Sequence, residues 1–198
     1  MLVIALTGGI GCGKSAVSSY LKSLNVPIID ADQLAHQLVE PGSPILREIQ
    51  AVFGNEIVDT NGVLDRSALR EVVFNDPQRR KQLEGILHPP IRKAMEEWVS
   101  KQIAPYVVLA IPLLFETRQT SIADRVLVVD CNEFIQIERV LKRDQISMEQ
   151  INQILSSQVD RQTRLLGADD VIENNGSLEE LYKDTEKLHR KYLNLAGS

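Results

Sequence analysis

The chain is 198 residues long, 43% hydrophobic and 25% charged, with a formal net charge of -5. That size and composition suit one folded unit with subdomains and exclude disorder or a collagen-like repeat. The acidic balance argues against nucleic-acid binding through a broad phosphate-neutralising surface. Two cysteines, Cys12 and Cys131, are too few for a disulfide framework, and a reducing cytoplasm is the expected setting. The opening apolar run, residues 2–6, stops at Thr7-Gly8-Gly9, so neither a signal peptide nor a membrane span is expected there, and no other run reaches membrane length.

In chain order, short apolar segments at residues 2–6, 27–29, 106–111, 125–129 and 170–172 predict five buried parallel strands. Helical periodicity covers residues 14–24, 31–39, 44–53, 66–74, 77–102, 133–143, 148–157 and 178–192. Pro89-Pro90, directly after His88, is expected to end one helix and start another inside the longest of these stretches. Strands alternating with helices imply a doubly wound α/β sheet. The gap between the second and third strands far exceeds one crossover and reads as a helical substrate-binding insertion. A second helical segment, about residues 143–164, carries arginines and suits a lid.

The chemistry begins at Gly8-Gly9-Ile10-Gly11-Cys12-Gly13-Lys14-Ser15, which fits G-x-x-x-x-G-K-[ST] between a predicted strand and a predicted helix. Such a loop turns backbone N–H groups around phosphate oxygens at a helix N-terminus. Lys14 then reaches the β and γ phosphates and Ser15 ligates Mg²⁺, so ATP and Mg²⁺ are the expected cofactors. Asp30 and Asp32 follow the second strand at the sheet edge where ligands bind. Asp32 is the candidate base toward an acceptor hydroxyl; both carboxylates would also serve as a strand end and a helix cap. Asp130 occupies the place of a magnesium-binding aspartate after the fourth strand, and equally that of a turn residue.

Arg139 and Arg143, four apart, share a helix face, and Arg161 and Arg164 lie three apart further on. Together they are candidates to clamp phosphates under a closing lid, or to form ion pairs with Glu138, Asp144 and Asp160. His88 either meets substrate or caps the helix break. Asn174-Asn175-Gly176 is a turn by composition that falls on the ligand edge, where amides would meet a purine. Asp59-Thr60-Asn61-Gly62 spells the D-x-x-G of GTPase switches, but the Ile57-Val58 stretch before it is short and no N-K-x-D occurs, so it reads as a turn.

Taken in order and spacing, several segments together resemble the dephospho-CoA kinase family. They are Thr7-Gly8-Gly9-Ile10-Gly11, Ile29-Asp30-Ala31-Asp32, Leu87-His88-Pro89, Ile111-Pro112-Leu113-Leu114-Phe115-Glu116, Arg143-Asp144 and Asp170-Val171-Ile172-Glu173-Asn174-Asn175-Gly176. The resemblance implies a P-loop NTPase-type fold with a core at about residues 1–30, 105–142 and 165–198, a CoA-binding insertion at about 31–104 and a lid at about 143–164. It implies transfer of the ATP γ-phosphate to the ribose 3′-hydroxyl of dephospho-CoA, the last step of coenzyme A synthesis. The expected partners are those two substrates, with no nucleic acid or membrane, in a monomer or weak homo-oligomer.

The resemblance also assigns roles. Gly8, Gly9, Gly11, Cys12, Gly13, Lys14, Ser15 and Ala16 surround the ATP phosphates, Asp32 is the catalytic carboxylate, and His88 and Leu114 lie at the substrate. Arg139 and Arg143 are phosphate and lid contacts, and Asn175 lies near the adenine. Cys12 and Ala16 stand where the family often has serine and threonine.

Overall fold

The computed structural model describes residues 1–74 and 76–197; Asn75, within the expected insertion, and Ser198, at the end of the expected core, lie outside the described residues. Five strands form one parallel sheet: β1 (Leu2–Gly8), β2 (Ile28–Asp30), β3 (Tyr106–Ala110), β4 (Arg125–Asp130) and β5 (Asp170–Glu173), in the order β2-β3-β1-β4-β5. The Val, Leu and Ile runs of β1, β3 and β4 are buried on both faces, as a sheet covered by helices on both sides requires. β1 lies centrally, with Leu6 beside Ala110 of β3 and Leu127 of β4. The C-terminal ends of the strands therefore converge on one edge, where open α/β sheets receive ligands.

Helix α1 (Lys14–Ser23) follows β1, and the C-terminal helix (Leu178–Ala196) packs beside it, with the Tyr20 and Tyr182 rings stacked 4.4 Å apart. Val17 and Leu21 of the first and Leu181 and Tyr192 of the second join Ile4, Leu6, Leu127 and Val129 in one core. Tyr106 donates to or accepts from His189 Nδ1 at 2.7 Å, which gives the buried phenol its polar partner.

The chain divides into two compact units, Met1–Asp30 with Lys101–Ser198 and Ala31–Ser100. The second unit holds α2 (Ala31–Leu38), α3 (Pro44–Phe53), α4 (Arg66–Phe74) and α5 (Pro77–Ser100). Ser43 Oγ accepts from Leu46 N at 3.0 Å and Pro44 occupies the first turn of α3, so local sequence alone sets that start. The unit has its own core of Val39, Ile49, Phe53, Ile57 and Leu69.

α5 runs unbroken through Pro89 and Pro90, contrary to the expected break. The missing prolyl N–H groups remove the helical donors for the carbonyls of Gly85 and Ile86. Gly85 is exposed, so water can take its carbonyl, while Ile91 and Met95 are buried one turn later and hold the helix in place. The Asp59 segment is a turn, as its composition predicts: Asp59 Oδ1 accepts from Asn61 N and Val63 N, and Val58 bridges Leu64. No helix among the described residues is long and apolar enough to cross a membrane.

In the first unit α6 (Glu133–Asp144) follows β4, then come α7 (Met148–Ser157) and α8 (Arg161–Leu166), and α9 is the C-terminal helix Leu178–Ala196. The six residues of α8 have no counterpart among the helices expected from periodicity.

Candidate active site

The phosphate-loop sequence folds as its glycine spacing demands. Gly11 and Gly13 have φ of 76° and 101°, in the left-handed region that side chains avoid. A Cβ on Gly11 would stand 2.8 Å from Val140 Cγ2 and 2.9 Å from the Gln136 carbonyl, and one on Gly13 would run into Asn174 Nδ2. Both glycines are thus required twice, by backbone conformation and by close packing. Gly13 is the N-cap of α1, and no side chain caps that end. With no side chain on it, that end of α1 presents the positive end of the helix dipole, where an anion is favoured. Lys14 is half-buried and Ser15 exposed on this first turn.

The loop is held from three sides. Asn174 Nδ2 donates to the Cys12 carbonyl at 2.8 Å, and Arg139 in turn donates to the Asn174 carbonyl at 3.0 Å. Ile10 N donates to Gln158 Oε1 at 3.2 Å, which brings the segment after α7 onto the loop. Cys12 Sγ is buried against Cys131 Sγ. Asn175 Oδ1 accepts from Asn132 N at 2.7 Å and so joins the turns that follow β4 and β5. Asn175 itself is exposed and lines a cavity with Glu173, Gly176, Glu180 and Lys183.

Asp130 is 3% exposed, and both of its oxygens are engaged by Arg161, at 2.9 Å and 3.0 Å from Nε with a further bond from the terminal nitrogen. This hydrogen bonding raises the Arg161 pKa above its ordinary value. Through Arg161 that carboxylate anchors the start of α8. A further link, Val159 N to Glu116 Oε1 at 2.9 Å, ties the same segment to the turn after β3.

The expected residues do not all meet. Gly8, Gly9, Gly11, Cys12, Gly13, Lys14, Ser15 and Ala16 form one continuous loop and helix start, and Arg139 joins it through Asn174. Arg143, expected beside Arg139, instead lies on its neighbour Asp144, at 2.6 Å, with its side chain 60% exposed. Leu114, expected at the substrate, has a fully buried side chain; Leu113 is the exposed member of that pair. Asp32 is exposed in the first turn of α2, and His88 is half-buried within α5; both belong to the second unit.

Two residues of the first unit were not legible as site residues, Gln136 and Gln158, while Asn174, read as part of a ligand-edge turn, holds the Cys12 carbonyl. Gln136 precedes Arg139 by one helical turn, and that spacing was the available signal.

Comparison with known proteins adds the family. The family model described as Dephospho-CoA kinase matches residues 2–180. A dephospho-CoA kinase of Hahella chejuensis is 48% identical over 195 residues, covering 98% of this chain and 94% of the relative. One of Acinetobacter baylyi is 43% identical and covers 98% and 100%. Among solved structures, a Thermus thermophilus protein superposes with a TM-score of 0.85 at 35% identity, covering 96% and 97% of the two chains. A dephospho-CoA kinase from Campylobacter jejuni gives 0.63 at 26%, with 96% of each chain covered. With the phosphate loop, the parallel sheet and this likeness along nearly its whole length, the chain belongs to the dephospho-CoA kinase family.

Proposed function

We propose that this protein transfers the γ-phosphate of ATP to the ribose 3′-hydroxyl of dephospho-CoA, giving CoA and ADP. The observation that carries the reading is the loop at residues 8–15, whose left-handed glycines and uncapped helix start leave amide donors for a polyphosphate. The donor set fits a nucleotide, since that end of α1 offers N–H groups, a half-buried lysine and an exposed hydroxyl in consecutive positions.

In this reading Lys14 neutralises charge on the β and γ phosphates and on the leaving oxygen as the bond breaks. Gly8, Gly9, Gly11, Cys12, Gly13 and Ala16 shape the loop, and Ser15 is the protein ligand for Mg²⁺. When bound, Mg²⁺ would supply positive charge that offsets the charge of the phosphates. Asp32, exposed in the first turn of α2, accepts the acceptor hydroxyl's proton. Ala31–Ser100 is the acceptor-binding unit, with His88 at the acceptor. Arg139 acts on the nucleotide side through its hold on Asn174, and Asn175 lines the cavity assigned to the adenine. Arg143 is assigned to the lid, from which a rotamer change off Asp144 would release it.

The test is ADP release from Mg-ATP with dephospho-CoA, with AMP and without acceptor, with products identified by mass. CoA formed only with dephospho-CoA is the expected result. Phosphorylation of another acceptor, or hydrolysis alone, would discard the assignment of substrate.

A further inference from the structure

Beside Gly9 and Ile10 the first unit contains a cavity of about 220 Å³ lined by Gln136, Gln158, Arg161, Arg164 and the acidic residues Glu133 and Asp160. One of its walls is incompletely satisfied, and a second carries a cation with no carboxylate partner among the described residues. Gln136 is 4% exposed, and its Nε2 has no hydrogen-bond partner. Arg164 is 7% exposed, donates to the Val159 carbonyl, and forms no ion pair among the described residues. The nearby acids do not supply one: Asp160 accepts from Thr163 N and Oγ1, and Asp130 is taken by Arg161.

The unpaired amide and the guanidinium both face the phosphate loop. A Cβ added to Gly9 would stand 2.7 Å from Gln136 Nε2 and 3.1 Å from an Arg164 terminal nitrogen. Buried donors are normally paired, and a buried guanidinium without a carboxylate costs more than an amide does. Two such donors converging on one glycine define a place for anionic oxygen.

The loop's order says which oxygen. Its helix end cradles the inner phosphates and Lys14 reaches the β and γ phosphates, so the opposite end, at Gly9 and Ile10, belongs to the outermost one. Gln158 Oε1 now holds the Ile10 amide, at 3.2 Å, so the segment bearing Arg164 is already seated on that end.

We infer that Gln136, with Arg164, binds the terminal phosphate of the nucleotide and holds it for transfer. This rests on the kinase reading above and adds a donor to it from α6 that makes no contact with the helix start. The amide contributes orientation through a fixed N–H, and the guanidinium contributes charge that increases in value as the transferred group spreads its own.

The test compares binding of Mg²⁺ with the imido analogue of ATP against Mg-ADP, in the full chain and in Gln136→Leu and Arg164→Met, with melting of each free protein. Neither binding arm needs an acceptor, so it stays readable if dephospho-CoA proves to be the wrong substrate. Gln136→Leu should weaken the triphosphate analogue by about tenfold to a hundredfold and leave ADP within about twofold, the loss of one charge-assisted bond. Its free-state melting temperature should stay level or rise, because an orphan amide has been removed. Arg164→Met should show the same selective loss. Equal weakening of both nucleotides would make Gln136 a prop for the loop and overturn the inference. So would unchanged binding accompanied by a raised KM for the acceptor, which would assign these donors to the acceptor's diphosphate.

Discussion

Cys12 Sγ and Cys131 Sγ lie 3.0 Å apart, although 119 positions separate them in the chain, and both are buried. The hydrogen bond between them and the charges of Arg139 and Arg161 hold Cys131 below the ordinary thiol range, while the same bond and burial push Cys12 up. We expect peroxide that reaches the pair to oxidise it, each thiol losing a proton and an electron as the oxidant becomes water. Closing to a disulfide requires a shift of about 1 Å, to the roughly 2.05 Å of a bonded pair. Cys12 sits in the loop that shift would move. Incubation with peroxide should lower intact mass by the two hydrogens lost, weaken nucleotide binding and reverse with dithiothreitol, whereas Cys131→Ala should keep its binding after the same treatment. Inactivation of Cys131→Ala at the parent rate would show that the damage arises elsewhere.

The glycines offer a paired comparison. Gly13→Ala meets Asn174 Nδ2 and must also hold a left-handed φ of 101°, so it should break the Asn174 bond to the Cys12 carbonyl. Strain of about 1–3 kcal/mol corresponds to a fall in melting temperature of roughly 2–10 °C for a chain of this size, and nucleotide affinity should fall with it. Gly42 has a φ of 83° but nothing within 4 Å of an added Cβ. Gly42→Ala should lose stability alone, with nucleotide affinity at the parent value in a calorimetric titration.

Acid should unfold the first unit in two stages. Burial lowers the His189 pKa, so the neutral ring bonded to Tyr106 contributes stability that is complete above about pH 6.5 and is lost as pH falls through the lowered value. Asp170 feels burial pushing its pKa up, but hydrogen bonds from Arg125, Lys191 and Tyr192 prevail and depress it. Its contribution is present above about pH 4 and is lost as pH falls through its folded value. Melting temperature followed from pH 8 to pH 3 should show both limbs. His189→Gln should flatten the upper one and Asp170→Asn the lower; an unchanged profile in either variant would remove that group from the account.

The proposed chemistry separates two charged residues kinetically. Asp32→Ala should lower turnover by about 10² to 10⁴-fold with ATP binding retained, equivalent to roughly 3–5 kcal/mol of barrier. Lys14→Ala should damage ATP binding and turnover together, because its charge is needed before and during transfer. Steady-state kinetics beside equilibrium binding of ATP distinguish the two patterns, and normal turnover in Asp32→Ala would take the base role away from it.

What the sequence made legible was local or periodic. The loop at residues 8–15 is a contiguous pattern whose geometry follows from four glycines and a helix start, and the buried strands are continuous apolar runs. What escaped depended on partners far along the chain. Gln136 looks like a surface residue until α6 packs its Val140 face against Gly11. Asp130 suggested either a metal ligand or a turn because its partner, Arg161, is 31 positions away. α8 is too short to show a period, and only Asp160, which caps it through Thr163 N, marked its start. In α5 the local proline signal was outweighed by burial of Ile91 and Met95.

β2 and β3 are adjacent and parallel, Asp30 lying opposite Ala110. The chain between them must therefore travel from the C-terminal edge of the sheet back to its N-terminal edge, a distance no tight turn spans. Ala31–Ser100 consequently serves as wiring as well as a folded unit with its own core. A minimal nucleotide-binding core made by cutting it out would need a bridging segment of about a dozen residues to keep β2 in the sheet.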